Sequence, residues 1–346
     1  MHIDQHLPEA LLSWYETNRR DLPWRRDREP YHIWISEIML QQTRVEAVKG
    51  YYSRFLAALP TIEALAEADD ELLHKLWEGL GYYSRVRNLK KAAQVIMREH
   101  NGIFPREYAA VRALPGIGPY TAGAICSIAF DLPKAAVDGN VLRVISRLTE
   151  NSTPIDSPAY RKQVEQALEA IYPPQAGAFT QALMELGATL CGPNRKPLCG
   201  ECPCRDLCGG YAHSTAEDLP VKKAKTPRKT EQRTVLILSC GGRYALEKRP
   251  AKGLLAGLWQ FPNVAGQLEP DAALAITEQL GMVPREIFRQ LDRHHIFTHI
   301  RWDMRGIYME IAECSGPFVW MTAEEIEEKA ALPTAFRQFW EEKLDV

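Results

Sequence analysis

Two carboxylates in apolar surroundings and a crowd of cysteines carry the chemistry of this chain. Glu37 is the one charge inside the run Ile33-Trp34-Ile35-Ser36-Glu37-Ile38-Met39-Leu40. An unpaired buried carboxylate is costly. Either the side chain turns to solvent or an Arg, or it stays inside as an acid that donates a proton near neutral pH. Asp138 sits between Ala135-Ala136-Val137 and Gly139. It can cap a helix beginning near Val141, and capping N–H bonds would keep it ionised. One carboxyl held protonated and one held ionised make an acid/base pair suited to cleaving a glycosidic bond. The polar residues Gln41-Gln42-Thr43 end the apolar helix and could fill a duplex after a base leaves it.

Five of the eight cysteines, Cys191, Cys199, Cys202, Cys204 and Cys208, fall within eighteen positions. The spacing Cys191-x7-Cys199-x2-Cys202-x5-Cys208 offers four thiolates from one compact loop, with Cys204 as a fifth candidate. Four thiolates hold either a tetrahedral zinc or an iron–sulfur cube. Zinc sites usually draw on two tight pairs far apart in sequence, so the loop favours a [4Fe–4S] cluster. Free or disulfide-bonded thiols are the plain alternative. A cluster would cross-link a loop too short to have a core, and its neighbours Arg195, Lys196 and Arg205 could face phosphate.

The string Leu114-Pro115-Gly116-Ile117-Gly118-Pro119-Tyr120 lies between helical stretches. Gly116 and Gly118 permit a tight turn and expose N–H groups at the next helix start, an arrangement that suits a DNA phosphate. The string resembles a helix–hairpin–helix element, although a plain helix–helix turn would use the same residues.

These residues need elements to hold them. The chain has 346 residues, enough for two or three domains at roughly 100–200 residues each. Its net charge of −2 excludes a uniformly basic nucleic-acid binder but not a local basic face. The start, Met-His-Ile-Asp-Gln-His, lacks a basic, apolar leader, and no run of eighteen apolar residues exists. A cytoplasmic protein without a membrane span is therefore expected. Residues 1–215 read as helices, with apolar periodicity over Leu11–Tyr15, Ile33–Val45, Leu72–Trp77, Leu89–Met97 and Val164–Ile171. From Val221 to Arg233 six basic residues meet one acid, as an exposed tether or a phosphate-contacting segment would show. The period then shifts toward two. Thr234–Cys240 and Arg243–Arg249 flank Gly241-Gly242, a hairpin signal. Residues 270–281 and Glu324–Lys329 look helical, and 296–305 alternate as one half-buried strand would. The chain is expected to be a mainly α unit followed by an α+β unit.

The strings LPWR (22–25), WISEIMLQQTRVE (34–46), GLGYYSRVRNL (79–89), LPGIGPYTAGAI (114–125), VDGNVLRV (137–144), QALMELGA (181–188), LAGLWQFP (255–262) and FTH (297–299), with the cysteine loop, closely resemble MutY-type adenine DNA glycosylases of the helix–hairpin–helix superfamily. The resemblance spans nearly the whole chain. It implies a helical glycosylase region over 1–220, with a six-helix subdomain near 23–129 and a cluster-bearing subdomain from 1–22 and 130–220. A basic linker (221–232) and a Nudix-like recognition domain (233–346) follow. The implied activity is removal of adenine mispaired with 8-oxoguanine or guanine, by a monomer acting on double-stranded DNA in the bacterial cytoplasm.

Carried over residue by residue, Glu37 becomes the acid that protonates adenine, and Asp138 the carboxylate that stabilises an oxocarbenium-like sugar. Asn140 and Gln181 become pocket residues, with Trp24 and Arg25 of the LPWR string beside the substrate. Gln42 and Tyr82 become intercalators near the opposite base. Phe297, Thr298 and His299 become the loop that senses 8-oxoguanine. Gly116 and Gly118 take a phosphate, and Cys191, Cys199, Cys202 and Cys208 hold the [4Fe–4S] cluster. Tyr120 occupies the position where endonuclease III-type enzymes carry a nucleophilic Lys. A phenol forms no Schiff base, so a glycosylase without efficient strand cleavage is expected. The chain departs from the family in two places. The first cysteine spacing is seven where six is usual. The acidic helix of active Nudix enzymes is also missing, since Ala272-Ala273-Leu274-Ala275-Ile276-Thr277-Glu278 carries one acid. The competing readings are a glycosylase/lyase for oxidised pyrimidines, a non-catalytic cluster-bearing DNA binder and a Nudix hydrolase.

Overall fold

The computed structural model describes residues 1–193, 195–224 and 227–344. Lys225 and Thr226, in the basic segment, lie outside the described residues. The chain divides into two compact units. One comprises residues 1–67 and 88–225, the other 68–87 and 226–346. Among the described residues no helix is long and apolar enough to cross a membrane.

The first unit is helical. Its inner helix, Pro30–Leu40, starts on a proline and buries eight of its eleven residues. A helix that is apolar on all sides belongs inside a core. The apolar run expected to reach Val45 stops at Leu40. Gln41 leaves the helix in an extended conformation and Gln42 is left-handed at φ 60°, so a second helix starts afresh at Val45. Polar side chains in the connection have nothing to bury, and the helix does not propagate through them.

Helix Pro119–Phe130 follows the glycine turn. Gly116 has φ 78°, and a Cβ there would lie 2.6 Å from Asn88 Cβ, so both conformation and space demand glycine. Helix Ala176–Thr189 crosses it closely. A Cβ on Gly177 would approach the Ser127 carbonyl to 2.9 Å. Helix Gly139–Leu148 completes the frame, with Val141, Ile145, Phe179 and Leu183 in a shared core.

Among the described residues the second unit is built on a seven-stranded sheet: β1 (Lys229–Cys240), β2 (Arg243–Lys248), β3 (Trp259–Gln260), β4 (Asn263–Ala265), β5 (Pro284–Ile296), β6 (Ile300–Ile311) and β7 (Val319–Thr322). The order is β3-β2-β1-β6-β5, with β4 also pairing β1 and β7 pairing β2. β1 and β6 run parallel from Lys229↔Ile300 to Ser239↔Glu310. Val235 and Ile237 face a core containing Phe336, Phe339 and Trp340, while Leu236 and Leu238 face one beside helix Pro270–Gln279. Period two on a sheet covered on both faces explains this run of four apolar residues. Gly241 and Gly242 both have positive φ, as a two-residue hairpin requires.

Two expectations change here. β1 begins at Lys229, inside the segment read as linker, because parallel pairing with β6 satisfies its backbone whatever its polar side chains do. The alternation over 296–305 is not one strand. β5 ends at Ile296, Phe297-Thr298-His299 reverses the chain, and β6 starts at Ile300, with Phe297 N–H donating to the Ile300 carbonyl at 2.8 Å. The inward face switches from odd-numbered residues in β5 to even-numbered ones in β6 and leaves Ile296 exposed, so the period-two apolar pattern over 296–305 does not mark one face of one strand.

Residues 68–87 come from the helical part of the sequence yet pack in the second unit. Helix Asp70–Leu76 is capped by Asp69, which accepts from Glu71 and Leu72 N–H. Lys248 pairs with Glu71 on this helix.

Candidate active site and cysteine loop

Glu37 is buried on helix Pro30–Leu40, with 5% of its surface exposed. Tyr120, in the first turn of helix Pro119–Phe130, donates its hydroxyl proton to Glu37 Oε2 at 2.6 Å. Burial pushes the Glu37 carboxyl up to about 7. The Tyr120 bond opposes this rise, the nearby Asp138 charge adds to it, and Arg25 opposes it. Tyr120 itself is held well above an ordinary phenol by burial and by both carboxylates.

Asp138 caps helix Gly139–Leu148. Its Oδ1 accepts from Val141 N–H at 2.7 Å and its Oδ2 from Asn140 Nδ2 at 2.7 Å. Burial nevertheless raises its pKa, and these bonds only offset part of that rise. Capping therefore does not by itself keep Asp138 ionised, contrary to the expectation from sequence; desolvation is the larger influence. Asn140 Oδ1 accepts from Arg143 Nη2 at 2.9 Å. Arg143 also donates to the Gly187 carbonyl at 2.7 Å and the Cys191 carbonyl at 2.8 Å. One guanidinium thus links the Asp138–Asn140 pair to the start of the cysteine loop.

Glu37, Tyr120, Asp138, Asn140, Gln181, Trp24 and Arg25 all line one cleft of about 810 Å³. Gln181 accepts from Tyr15 Oη at 3.2 Å and donates to the Gly177 carbonyl at 3.3 Å. Trp24 is buried edge-on against Tyr52 and acts as a wall. Arg25 donates to Glu185 Oε2 at 2.7 Å, and Arg20 donates to Oε1 of the same carboxylate at 2.6 Å. Glu185 is fully buried and its pKa is lowered, the two arginines outweighing burial. Sequence reasoning missed Arg20, Arg143 and Glu185. Glu185 had a signal: like Glu37 it is a single charge in an apolar run, Ala182-Leu183-Met184-Glu185-Leu186.

The remaining candidates lie elsewhere. Gln42 is exposed at the turn after the Glu37 helix. Gly116 and Gly118 form the turn before helix Pro119–Phe130, which has no side-chain cap. Tyr82, Phe297, Thr298 and His299 belong to the second unit. They line a cavity of about 1360 Å³ together with Arg87 and Arg228. The hydroxyls of Tyr82 and Thr298 are 2.9 Å apart. Phe297 packs edge-on against Trp302 at 4.8 Å.

Cys191, Cys199, Cys202 and Cys208 line one small cavity with apolar walls from Val144, Leu186 and Leu190. Arg147 Nη1 donates to Cys191 Sγ at 3.2 Å. Among the described residues no three His, Cys, Asp or Glu side chains are grouped as ligands of a single metal ion. Four cysteines around one cavity are a donor set that fits a thiolate-held metal centre. Cys204 does not line this cavity; it is fully buried in the helical core.

Residues 35–174 match the HhH-GPD superfamily of base excision DNA repair proteins, and residues 233–342 match the NUDIX domain. Human adenine DNA glycosylase is 35% identical over 95% of this chain and 72% of its own length. The chain belongs to the adenine DNA glycosylase family. The Arabidopsis thaliana adenine DNA glycosylase is 37% identical over 89% of this chain, which spans 57% of that relative's length. A thermostable thymine-DNA glycosylase superposes with a TM-score of 0.53 at 32% identity, covering 60% of this chain and 95% of its own. The family's fold class, a helix–hairpin–helix glycosylase region followed by a Nudix domain, is the one expected from sequence.

Proposed function

We propose that this chain is a monofunctional glycosylase that removes adenine mispaired with 8-oxoguanine or guanine, acting as a monomer on double-stranded DNA in the cytoplasm. The observation that carries this reading is a buried acid with a pKa of about 7 sharing one cleft with a helix-capping aspartate. The adenine nucleotide leaves the duplex at a cost of about a few kcal/mol and enters the cleft. Gln181 offers an amide to the adenine edge. Glu37, protonated in a large fraction of molecules at neutral pH, transfers its proton to a ring nitrogen of adenine and makes it a competent leaving group. The C–N bond then breaks with little help from a nucleophile.

The Glu37 carboxylate left behind is stabilised by the Tyr120 hydroxyl already bonded to it. Asp138 faces the developing positive charge on the sugar, and water deprotonated by a carboxylate completes hydrolysis. Tyr120 in place of a lysine supports hydrolysis without Schiff-base strand cleavage.

Selectivity cannot come from adenine alone, because adenine is a normal base. We assign it chiefly to the second unit, with Phe297, Thr298 and His299 sensing the opposite base, while Tyr82 and, from the first unit, Gln42 fill the duplex. The turn at Gly116 and Gly118 presents N–H groups to a phosphate. In domain terms, we read residues 1–220 as the glycosylase region, with subdomains near 23–129 and from 1–22 with 130–220, although 68–87 within it pack in the second unit. A basic connection leads to the recognition domain ending at 346.

Cys191, Cys199, Cys202 and Cys208 would hold a [4Fe–4S] cluster. A bound cluster would cross-link this loop, and its neighbours Arg195, Lys196 and Arg205 could then face phosphate. The test is strand-resolved release from an A:8-oxoguanine duplex. Free adenine with an intact strand is expected; release of the 8-oxoguanine instead, or of no base, would overturn the reading.

A further inference from the structure

We propose that Glu78 is a positioning residue for recognition of the opposite base: its carboxylate fastens the turn bearing Tyr82 to the recognition domain bearing Thr298. This rests on the reading of Tyr82 and Thr298 as the pair that faces that base.

Glu78 lies in the turn that follows helix Asp70–Leu76, and only 15% of its side chain is exposed. Oε1 accepts from the backbone N–H of Leu332 at 3.0 Å and from Arg337 Nη1 at 3.1 Å. Oε2 pairs with Lys75 at 2.7 Å. Arg337 is held in turn by Glu327 at 2.6 Å, and Trp340 Nε1 donates to the other Glu327 oxygen at 2.6 Å. One carboxylate thus joins points 254 residues apart in sequence.

Both ends of this fastening lead to the same cavity. On one side Leu332 is followed by Pro333 and Thr334, which line it with Thr298. On the other side the chain turns sharply through Gly79 (φ 94°), Gly81 (φ 70°) and Tyr82 (φ 47°). A non-glycine residue in the left-handed region persists only where its surroundings fix it. The turn is fixed internally by Trp77 Nε1 donating to the Gly81 carbonyl at 3.1 Å and by Arg85 donating to the Leu80 and Gly81 carbonyls. Those bonds shape the turn but do not hold it to the sheet domain. Glu78, four residues before Tyr82, does so from the N-terminal side of the turn, while Arg87 Nη1 donates to the Ala256 carbonyl at 3.0 Å beyond it and Glu71 pairs with Lys248 before it. Removing the carboxylate takes from Lys75 and Arg337 the anion they share and leaves the Leu332 N–H without this acceptor.

The test is a double-mutant cycle on the full-length holoenzyme, reading the ratio of single-turnover adenine release opposite 8-oxoguanine to that opposite guanine. Glu78→Ala is expected to lower the ratio about tenfold, the scale of one charge-assisted hydrogen bond. Tyr82→Phe lowers it as well, and the double variant falls no further than Tyr82→Phe alone. A merely structural role for Glu78 would give losses that multiply. If Glu78→Ala does not fold, Glu78→Gln, which keeps an acceptor for Leu332, carries the same test. An unchanged ratio in the Glu78 variant beside a lowered one in Tyr82→Phe overturns this proposal alone. An unchanged ratio in Tyr82→Phe overturns the reading on which it rests, and the proposal with it.

Discussion

Tyr120 donates its hydroxyl proton to Glu37 at 2.6 Å inside a cleft where the carboxyl is already pushed up to about 7. The bond stabilises the carboxylate, so it makes Glu37 a stronger acid than burial alone would allow. Tyr120→Phe should therefore move the alkaline limb of the pH–rate profile upward and slow adenine release about tenfold, the worth of one hydrogen bond to a charged group. Single-turnover rates between pH 5 and 9 measure both effects. A downward shift of that limb would mean the phenol serves another end.

The same carboxyl destabilises the fold. Glu37 binds its proton more tightly folded than unfolded, so stability is fully present below the ordinary glutamate pKa near 4.5 and declines as pH rises through about 7. Glu37→Gln keeps the shape without the charge. Urea unfolding at pH 8 should find it more stable than the parent by about 2–3 kcal/mol, with the gain vanishing near pH 4.5. A variant less stable at both pH values would contradict the assignment of a charge-burial penalty.

Arg143 donates to Asn140, Gly187 and Cys191 at once. Its replacement by Gln strands at least two of these buried acceptors, at a cost of about 1–3 kcal/mol each, and loosens the Asp138–Asn140 pair. Adenine release should slow while duplex affinity changes little. Equilibrium binding measured beside single-turnover rates separates the two, and a loss confined to affinity would count against this link.

The cysteine assignment has its own test. Cys199→Ser should abolish the visible charge-transfer absorption of the purified protein, whereas Cys204→Ser should retain it and lower the thermal midpoint, since it puts a hydroxyl in an apolar core. Loss of absorption in Cys204→Ser would reassign the ligands.

What the sequence made legible was local. Glu37, Asp138 and the cysteine loop announce themselves because a charge in an apolar run, a carboxylate before a helix and closely spaced thiols are patterns within a few residues. What it hid was pairing across the chain. Glu185 meets arginines 160 and 165 positions away, and Glu78 meets Leu332 across 254. No window on the sequence contains both partners. The turn at Phe297–His299 was hidden as part of a strand for a different reason: the apolar alternation of Ile296, Thr298 and Ile300 runs on across it, although the buried face switches from odd to even residues there. Asp138 shows the limit of reading a motif without its burial: the cap is present, but desolvation outweighs it.

The most direct measurement is single-turnover adenine release by Glu37→Gln on an A:8-oxoguanine duplex, with duplex affinity determined on the same preparation. Unchanged affinity with release slowed by at least about a hundredfold, the contribution of a positioned general acid, is the predicted result. Release at the parental rate would mean that the proton reaching adenine does not come from Glu37.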